Sequence, residues 1–344
     1  MDLPVPSPTK PFWHQDGHRL SDHRSTEEIP TSQDVLVIGA GFTGASCAYY
    51  LSHAPEAPAS LTVLEAREAC SGATGRNGGH MRPESLATFA KFADKINMKT
   101  VDEIAQFEIA NLIAVQELVQ ELNIDCDFEQ IQSANAYLDE NLAEAAKAQQ
   151  RQLADAGFDV VKRFKYHDET TAPAVTGVRD AKGAMTFPAA CLWPYQFVMD
   201  LLSASVAKGV NLQTHTPVLD VSKSPDSDGY WTVNTARGTT KAKKIIFATN
   251  GYTRRLLPEY AGHIIPVRGI CSHTVADTTP APALAPVTRT MGVKHSPGCQ
   301  DYLISRPDGS IVVGGAWKVV RPGPRDDWHD VTDDSKLIPA AETY

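Results

Sequence analysis

The sequence predicts an α/β chain of two domains: a nucleotide-binding domain with inserted helices, and a second domain built on an antiparallel sheet. Two observations predict this fold class. A strand, a glycine turn, a helix, a second strand and an acidic residue follow one another over residues 34–65. Strand-like segments near the C-terminus are joined by the turn at residues 307–309, as in a β-hairpin. A length of 344 residues is sufficient for two hydrophobic cores.

A Rossmann-like dinucleotide-binding unit begins with the apolar run at residues 35–38, which is typical of a parallel strand buried on both faces. Gly39, Gly41 and Gly44 follow with the spacing G-x-G-x-x-G and precede an alanine-rich helix. The first glycine permits a tight turn, the second lets a pyrophosphate approach the backbone, and the third lets the helix pack closely on the sheet. The helix N-terminus would then present free N–H groups to the phosphates.

The second strand of the unit, Leu61–Leu64, is also apolar and leads directly into Glu65. This acidic residue lies about 20 positions after the third glycine, as in dinucleotide-binding units. Its carboxylate can accept hydrogen bonds from ribose hydroxyls, whereas it would repel a ribose 2′-phosphate. The unit therefore predicts an adenine dinucleotide and argues against NADP.

The composition is typical of a soluble, intracellular globular protein. The net charge is −9 and there is no long basic run, so we expect no nucleic-acid partner. No N-terminal signal segment and no apolar run of membrane-spanning length are present, so we expect a cytoplasmic protein without a membrane partner. The six cysteines are scattered, which predicts no metal site. We expect the histidines of the N-terminal segment, such as His14, to be solvated.

The remaining chain divides by its apolar pattern. We expect an N-terminal arm at residues 1–33 and a nucleotide-binding domain at residues 34–82 and 191–265. A largely helical pattern begins at residue 83, and strand-like segments predominate over residues 266–344. Residues 128–138 read as a pair of strands.

The loop at residues 71–80, SGATGRNGGH, contains four glycines and follows the sequence LEARE. Together with the glycine turn, it resembles the FAD-dependent amine and amino-acid oxidoreductases of the D-amino-acid oxidase superfamily. The resemblance is closest to the branch of gamma-glutamylputrescine oxidase-like enzymes and their fungal relatives. The later sequence ATNGYT, at residues 248–253, is similar to a second signature of this family.

The resemblance implies FAD as the cofactor. Some relatives carry a histidine in the loop that is joined covalently to the flavin, whereas this chain has Arg76 at that place and His80 four positions later. We therefore expect non-covalent FAD, with Arg76 as a cationic partner of a phosphate or of the reduced ring. The expected cofactor-binding residues are Gly39, Gly41, Phe42, Thr43, Gly44, Glu65, Ala66, Arg67, Ala73, Thr74, Arg76, Asn77, Gly78, Gly79, Val218, Thr249, Asn250 and Gly251.

The family further implies oxidation of a C–N bond in a small amine or amino-acid-like substrate by hydride transfer to the flavin. Oxygen would be the electron acceptor and hydrogen peroxide a product. No catalytic residue is identified from the sequence; His80, Arg76 and Tyr302 are the candidates. The sequence leaves the oligomeric state open.

The resemblance also implies that residues 83–190 are a helical insertion into the nucleotide-binding domain and that residues 266–344 form a substrate domain. Family members continue well beyond the point at which this chain ends, so we expect a truncated C-terminus and an incomplete substrate domain. One alternative is therefore a catalytically inactive flavin-fold protein or a fragment. A second alternative is an NAD-dependent dehydrogenase, against which the loop at residues 71–80 and the ATNG sequence both count. A peroxisomal location stays open, because some relatives carry a peroxisomal tripeptide at their C-terminus.

Overall fold

The computed structural model describes residues 3–275 and 289–344. The strands of these residues are β1 (Ser32–Ile38), β2 (Leu61–Leu64), β3 (His80–Met81), β4 (Glu129–Tyr137), β5 (Lys165–Asp168), β6 (Gly183–Cys191), β7 (Asn211–Gln213), β8 (Val218–Val221), β9 (Trp231–Thr235), β10 (Gly238–Phe247), β11 (Cys271–Thr274), β12 (Thr290–Ser296), β13 (Cys299–Ser305) and β14 (Ile311–Gly314). The α-helices are α1 (Phe42–His53), α2 (Leu86–Ala93), α3 (Met98–Glu121), α4 (Glu140–Asp155), α5 (Ala172–Thr176), α6 (Pro194–Ala207), α7 (Thr253–Leu256) and α8 (Trp317–Val320).

The first of two compact units, here called the nucleotide unit, comprises Met1–Asn77, Pro194–Arg268 and Pro324–Pro339. Its sheet has the strand order β7-β2-β1-β10-β9-β8. The four strands β7, β2, β1 and β10 are parallel, and β9 and β8 continue the sheet in antiparallel pairing. Because β1 and β2 are parallel neighbours, their carboxyl ends lie at the same edge of the sheet, where ligands bind in folds of this type.

The core of the nucleotide unit explains why β1 and β2 are apolar throughout. Leu36, Ile38 and Leu64 pack with Val218 and Val233 in one buried cluster. Burying one such side chain contributes about 1.5–3 kcal/mol, so this cluster fixes the two strands against β8 and β9. This α/β arrangement confirms the predicted fold class.

The second compact unit, here called the sheet unit, comprises Gly78–Trp193, Gly269–Gly323 and Ala340–Tyr344. Its sheet has the order β11-β14-β13-β12-β4-β6-β3, and β5 also pairs with β6. Every pairing is antiparallel among the described strands except that of β12 with β4, which is parallel. Helices α2, α3 and α4 contribute to a buried cluster that includes Phe89, Leu153, Met185 and Phe187.

Two expectations about local structure were wrong. Residues 129–137 form the single strand β4 and not a strand pair, because the chain makes no turn at Ser133 or Asn135 and both edges of the strand pair, with β6 and with β12. The N-terminal histidines are not simply solvated. The His14 ring lies 4.2 Å from the Tyr195 ring, and burial lowers the pKa of His14 to about 4.

The boundaries of the two units differ from those of the expected domains. The N-terminal arm and Pro324–Pro339 belong to the nucleotide unit, whereas much of the expected insertion shares the sheet unit with Gly269–Gly323. The predicted domain boundaries stay a prediction. No helix of the described ranges is long and apolar enough to cross a membrane.

Candidate functional site

The turn after β1 is shaped by Gly39, whose φ is +106°. Its N–H group donates to the carbonyl of Leu64 at 2.8 Å, which ties the ends of β1 and β2 together. A Cβ at this position would lie 2.5 Å from the carbonyl oxygen of Ala248, so only glycine fits. The turn therefore lies against the backbone of the ATNG sequence at residues 248–251. The N–H group of Ala248 also donates to the carbonyl of Ile38 at 2.8 Å.

Helix α1 begins at Phe42, directly after the turn. The N–H group of Phe42 donates to the hydroxyl of Thr74 at 3.0 Å. The N–H groups of Thr43 and Gly44 have no acceptor within the part of the chain that the structure describes, and Thr43 is exposed. Free N–H groups and the positive end of the helix dipole give this N-terminus the chemistry to bind an anion such as a pyrophosphate.

The carboxylate of Glu65 is fixed beside the same turn. One of its oxygens accepts the N–H group of Ala40 at 2.8 Å, and the other accepts the N–H group of Arg67 at 3.1 Å. A carboxylate has about four acceptor positions, so each oxygen keeps capacity for a further donor such as a ribose hydroxyl. Ala66 follows it and is half-buried.

Two distant segments also reach this edge of the nucleotide unit. The N–H group of Thr216 donates to the carbonyl of Glu65 at 2.7 Å, and the chain continues into Val218, whose side chain is buried with Ile38. Residues 249–251 follow Ala248 beside the glycine turn, with Asn250 at a φ of +45°. The structure thus brings together the predicted residues at 39–44, 65–67, 218 and 249–251.

The segment at residues 70–77, here called the glycine loop, holds the predicted cationic residue in an ion-pair network. The guanidinium of Arg67 donates to both carboxylate oxygens of Asp334 at 3.0 Å, and Arg76 lies 3.3 Å from the same carboxylate. Arg76 also donates to the hydroxyl and the carbonyl of Thr9 at 2.9 and 2.6 Å. The role of Arg76 toward a phosphate stays a prediction.

Sequence reasoning missed Asp334, because nothing local marks it as a partner of residues so far away in the chain. The other predicted residues of the glycine loop support its shape. Ala73 and Thr74 belong to a 3-10 turn, and the Asn77 amide donates to the carbonyl of Thr74 at 2.7 Å.

The predicted residues Gly78, Gly79 and His80 belong to the sheet unit. The carbonyl of Gly79 accepts the N–H group of Leu192 at 3.0 Å, and His80 shares a hydrogen bond of 2.8 Å with the hydroxyl of Thr290. Burial, and then the charge of Arg82, lower the pKa of His80 to about 3. A neutral imidazole with so low a pKa is a weak base at neutral pH, so its chemistry here is hydrogen bonding.

The third catalytic candidate, Tyr302, fills space above two glycines. A Cβ at Gly314 would lie 2.0 Å from its ring, and one at Gly78 would lie 3.0 Å from it. Its hydroxyl donates to the carbonyl of Ile270 at 3.4 Å, and burial raises its pKa. These contacts describe a packed aromatic side chain.

A pair of cations lies on one face of β12 in the sheet unit. The guanidinium of Arg82 donates to the amide oxygen of Asn135 at 2.7 Å and lies 4.9 Å from the Phe187 ring. A Cβ at Gly292 would lie 3.1 Å from this guanidinium, and Lys294 projects from the same face two positions later. Burial, and then the charge of Arg82, lower the pKa of Lys294 to about 8.

Within residues 3–275 and 289–344, neither Arg82 nor Lys294 forms an ion pair. The charge of Glu84 acts on both cations without contacting either as an ion pair, and Lys294 donates to the amide oxygen of Gln300. Two half-buried neighbouring cations without a direct carboxylate contact can bind an anion by charge-assisted hydrogen bonds. Sequence analysis missed this pair, although Arg82 stands only two positions after the loop that carries the family resemblance. No cluster of metal-ligating side chains is present among the described residues.

Comparison with known proteins places this chain in a family. The family model described as FAD dependent oxidoreductase matches residues 34–344. The chain is 24% identical over 257 residues to the probable oxidoreductase OrdL of Haemophilus influenzae, covering 71% of this chain and 57% of that protein. It is 25% identical over 237 residues to the gamma-glutamylputrescine oxidoreductase of Escherichia coli, covering 68% and 53%.

Both curated relatives are longer than this chain, which spans little more than half of their length. The glycine oxidase of Geobacillus kaustophilus has a similar structure, with a TM-score of 0.60 and 18% identity over 82% of this chain and 70% of that one. At this identity the structural likeness shows the fold alone. Because the family model matches nearly the whole sequence, the chain belongs to the FAD-dependent oxidoreductase family.

Proposed function

We propose that this chain oxidises a C–N bond of a small amino-acid-like amine, with non-covalently bound FAD and with oxygen as the electron acceptor. The open N-terminus of α1 beside the Glu65 carboxylate is the observation that carries the proposal. The similarity to a gamma-glutamylputrescine oxidoreductase supports a nitrogen-containing substrate. FAD is the cofactor of the family, which argues against the NAD-dependent alternative.

The residues of the nucleotide unit fit FAD. A Cβ at Gly41 would lie 2.9 Å from the Thr74 hydroxyl, so a larger residue would press on the group that accepts the N–H group of Phe42. The N–H groups of Thr43 and Gly44 would hold the pyrophosphate, and Glu65 would accept the ribose hydroxyls. When bound, FAD supplies the two-electron redox chemistry by accepting hydride from the carbon that carries the nitrogen.

The cation pair of the sheet unit supports a substrate that carries a carboxylate. Arg82 presents planar N–H donors beside Gly292 of β12, and Lys294 adds a positive charge two positions later on the same strand. Such a pair can hold a carboxylate by charge-assisted hydrogen bonds, which are stronger than neutral ones. We therefore favour an amino acid over a simple amine. The cytoplasmic location stays a prediction.

The first experiment tests cofactor and turnover together. The purified chain is incubated with FAD, freed of excess by gel filtration, and assayed for peroxide with a panel of amino acids and amines. We expect stoichiometric flavin that acid precipitation releases into the supernatant, and peroxide formed with at least one substrate. Flavin without turnover would favour the inactive flavin-fold alternative, and flavin retained by the precipitate would contradict non-covalent binding.

Replacing the guanidinium tests the substrate class. For Arg82→Met we expect the KM of the best substrate that carries a carboxylate to rise by about 10- to 100-fold. The reason is that a hydrogen bond to a charged group contributes about 1.5–3 kcal/mol. The KM of the matching amine without a carboxylate should change little. Arg163→Met, which alters an exposed arginine of the same unit, is the control. Equal effects on both substrates would contradict carboxylate recognition.

A further inference from the structure

The N-terminal arm contacts both ends of the glycine loop. Near its start, the N–H group of Ala69 donates to the carbonyl of Ser21 at 2.8 Å. At its end, the indole N–H group of Trp13 donates to the carbonyl of Asn77 at 2.6 Å, and the Trp13 side chain is buried in doing so. The loop is therefore attached at both ends to a segment more than forty positions earlier in the chain.

His14 supports the loop from within. Its imidazole lies 3.2 Å from the carbonyl of Cys70. A Cβ at Gly75 would lie only 2.2 Å from the same imidazole. Cys70 has a φ of +62°, a conformation that a non-glycine residue keeps only where its surroundings hold it. Burial lowers the pKa of His14, so the neutral ring makes this contact at physiological pH.

Thr9 provides a third attachment through the side chain of Arg76. Its carbonyl and hydroxyl accept the two hydrogen bonds of 2.6 and 2.9 Å from that guanidinium. Between the attached positions lies Thr74, whose hydroxyl accepts the N–H group of Phe42 at the start of α1. The position of the loop therefore sets whether the N–H group of Phe42, at the start of α1, has an acceptor.

We propose that Thr9, Trp13 and His14 are positioning residues for the cofactor: they hold the glycine loop against the N-terminus of α1 and thereby set the affinity for FAD. The proposal depends on FAD as the cofactor and on no particular substrate. An arm that only stabilised the fold would change the free energy of unfolding while leaving the FAD affinity and the amide exchange of the loop unchanged.

Trp13→Phe removes the indole N–H group and keeps an apolar ring. We expect its dissociation constant for FAD, measured by flavin fluorescence, to rise about 5- to 10-fold, because one buried hydrogen bond that holds the loop is lost. Hydrogen–deuterium exchange of the FAD-free protein should become faster at residues 70–77. Thr9→Val, which removes one hydroxyl at a half-buried position, should shift both measurements in the same direction by a smaller factor.

Lys10→Gln is the matched control, because this exposed side chain of the same segment makes no hydrogen bond among the described residues. Unchanged hydrogen–deuterium exchange at residues 70–77 in both Trp13→Phe and Thr9→Val would overturn the attachment of the loop. This outcome can be read even if the parent protein binds no FAD, because the exchange is measured on the FAD-free protein. Faster exchange with an FAD affinity within twofold of the parent would overturn the link to the cofactor. Should Trp13→Phe fail to fold, Thr9→Val decides by the same two measurements.

Discussion

Gly44→Ala is expected to abolish retention of FAD and to lower the free energy of unfolding by about 3 kcal/mol, as overpacking of a tightly packed site does. The added Cβ would lie 1.8 Å from the carbonyl oxygen of Gly39 and 3.4 Å from the Val37 side chain. The first of these atoms belongs to the backbone, so no side-chain rotation can relieve the clash. Helix α1 must then move away from the turn and carry the N–H group of Thr43 with it.

Gly72→Ala is the matched control for this prediction. A Cβ at Gly72 would meet no atom within 4 Å, and its φ of −80° suits any residue. Urea unfolding of the FAD-free proteins should place this variant within about 0.5 kcal/mol of the parent. A Gly44→Ala protein with the parental unfolding midpoint and a full complement of FAD would refute the packing argument.

The strand–turn–helix–strand motif at residues 34–65 could be predicted from the sequence because such a motif requires a local order of residues. The turn at Gly39, the packing glycine at Gly44 and the acid at Glu65 are specified by neighbours along the chain, and the structure places them at one edge of the sheet. Helix α1 begins at Phe42, directly after the glycine motif, as the spacing predicts.

The parts that could not be predicted depend on contacts between distant residues. The pairing of β4 with β6 and β12 makes one strand of a segment whose residue pattern reads equally well as two. Lys294 carries no local signal of its position beside Arg82, since that position follows from the parallel pairing of β12 with β4. Single-sequence patterns contain no information about such partners.

Asp334→Asn is expected to lower the free energy of unfolding by about 3 kcal/mol, because loss of this half-buried carboxylate leaves the buried guanidinium of Arg67 uncompensated. Asp334 is the shared counter-ion of Arg67, whose side chain is only 8% exposed, and of Arg76, at 19%. Asparagine preserves the size of the side chain but removes the carboxylate that the two guanidiniums share. The backbone contact of Thr9 with the carbonyl of residue 334 should persist.

A double-mutant cycle separates the ion pair from other effects. Urea unfolding is measured for Asp334→Asn, for Arg67→Met and for the double variant, with the exposed Asp326→Asn as the control for loss of one negative charge in the same segment. We expect the double variant to be less destabilised than the sum of the single variants by about 0.5–3 kcal/mol, the range found for residues of one network. Additive effects would show that the carboxylate and the guanidinium stabilise the unit independently, and the ion pair would then not explain why Pro324–Pro339 belongs to the nucleotide unit.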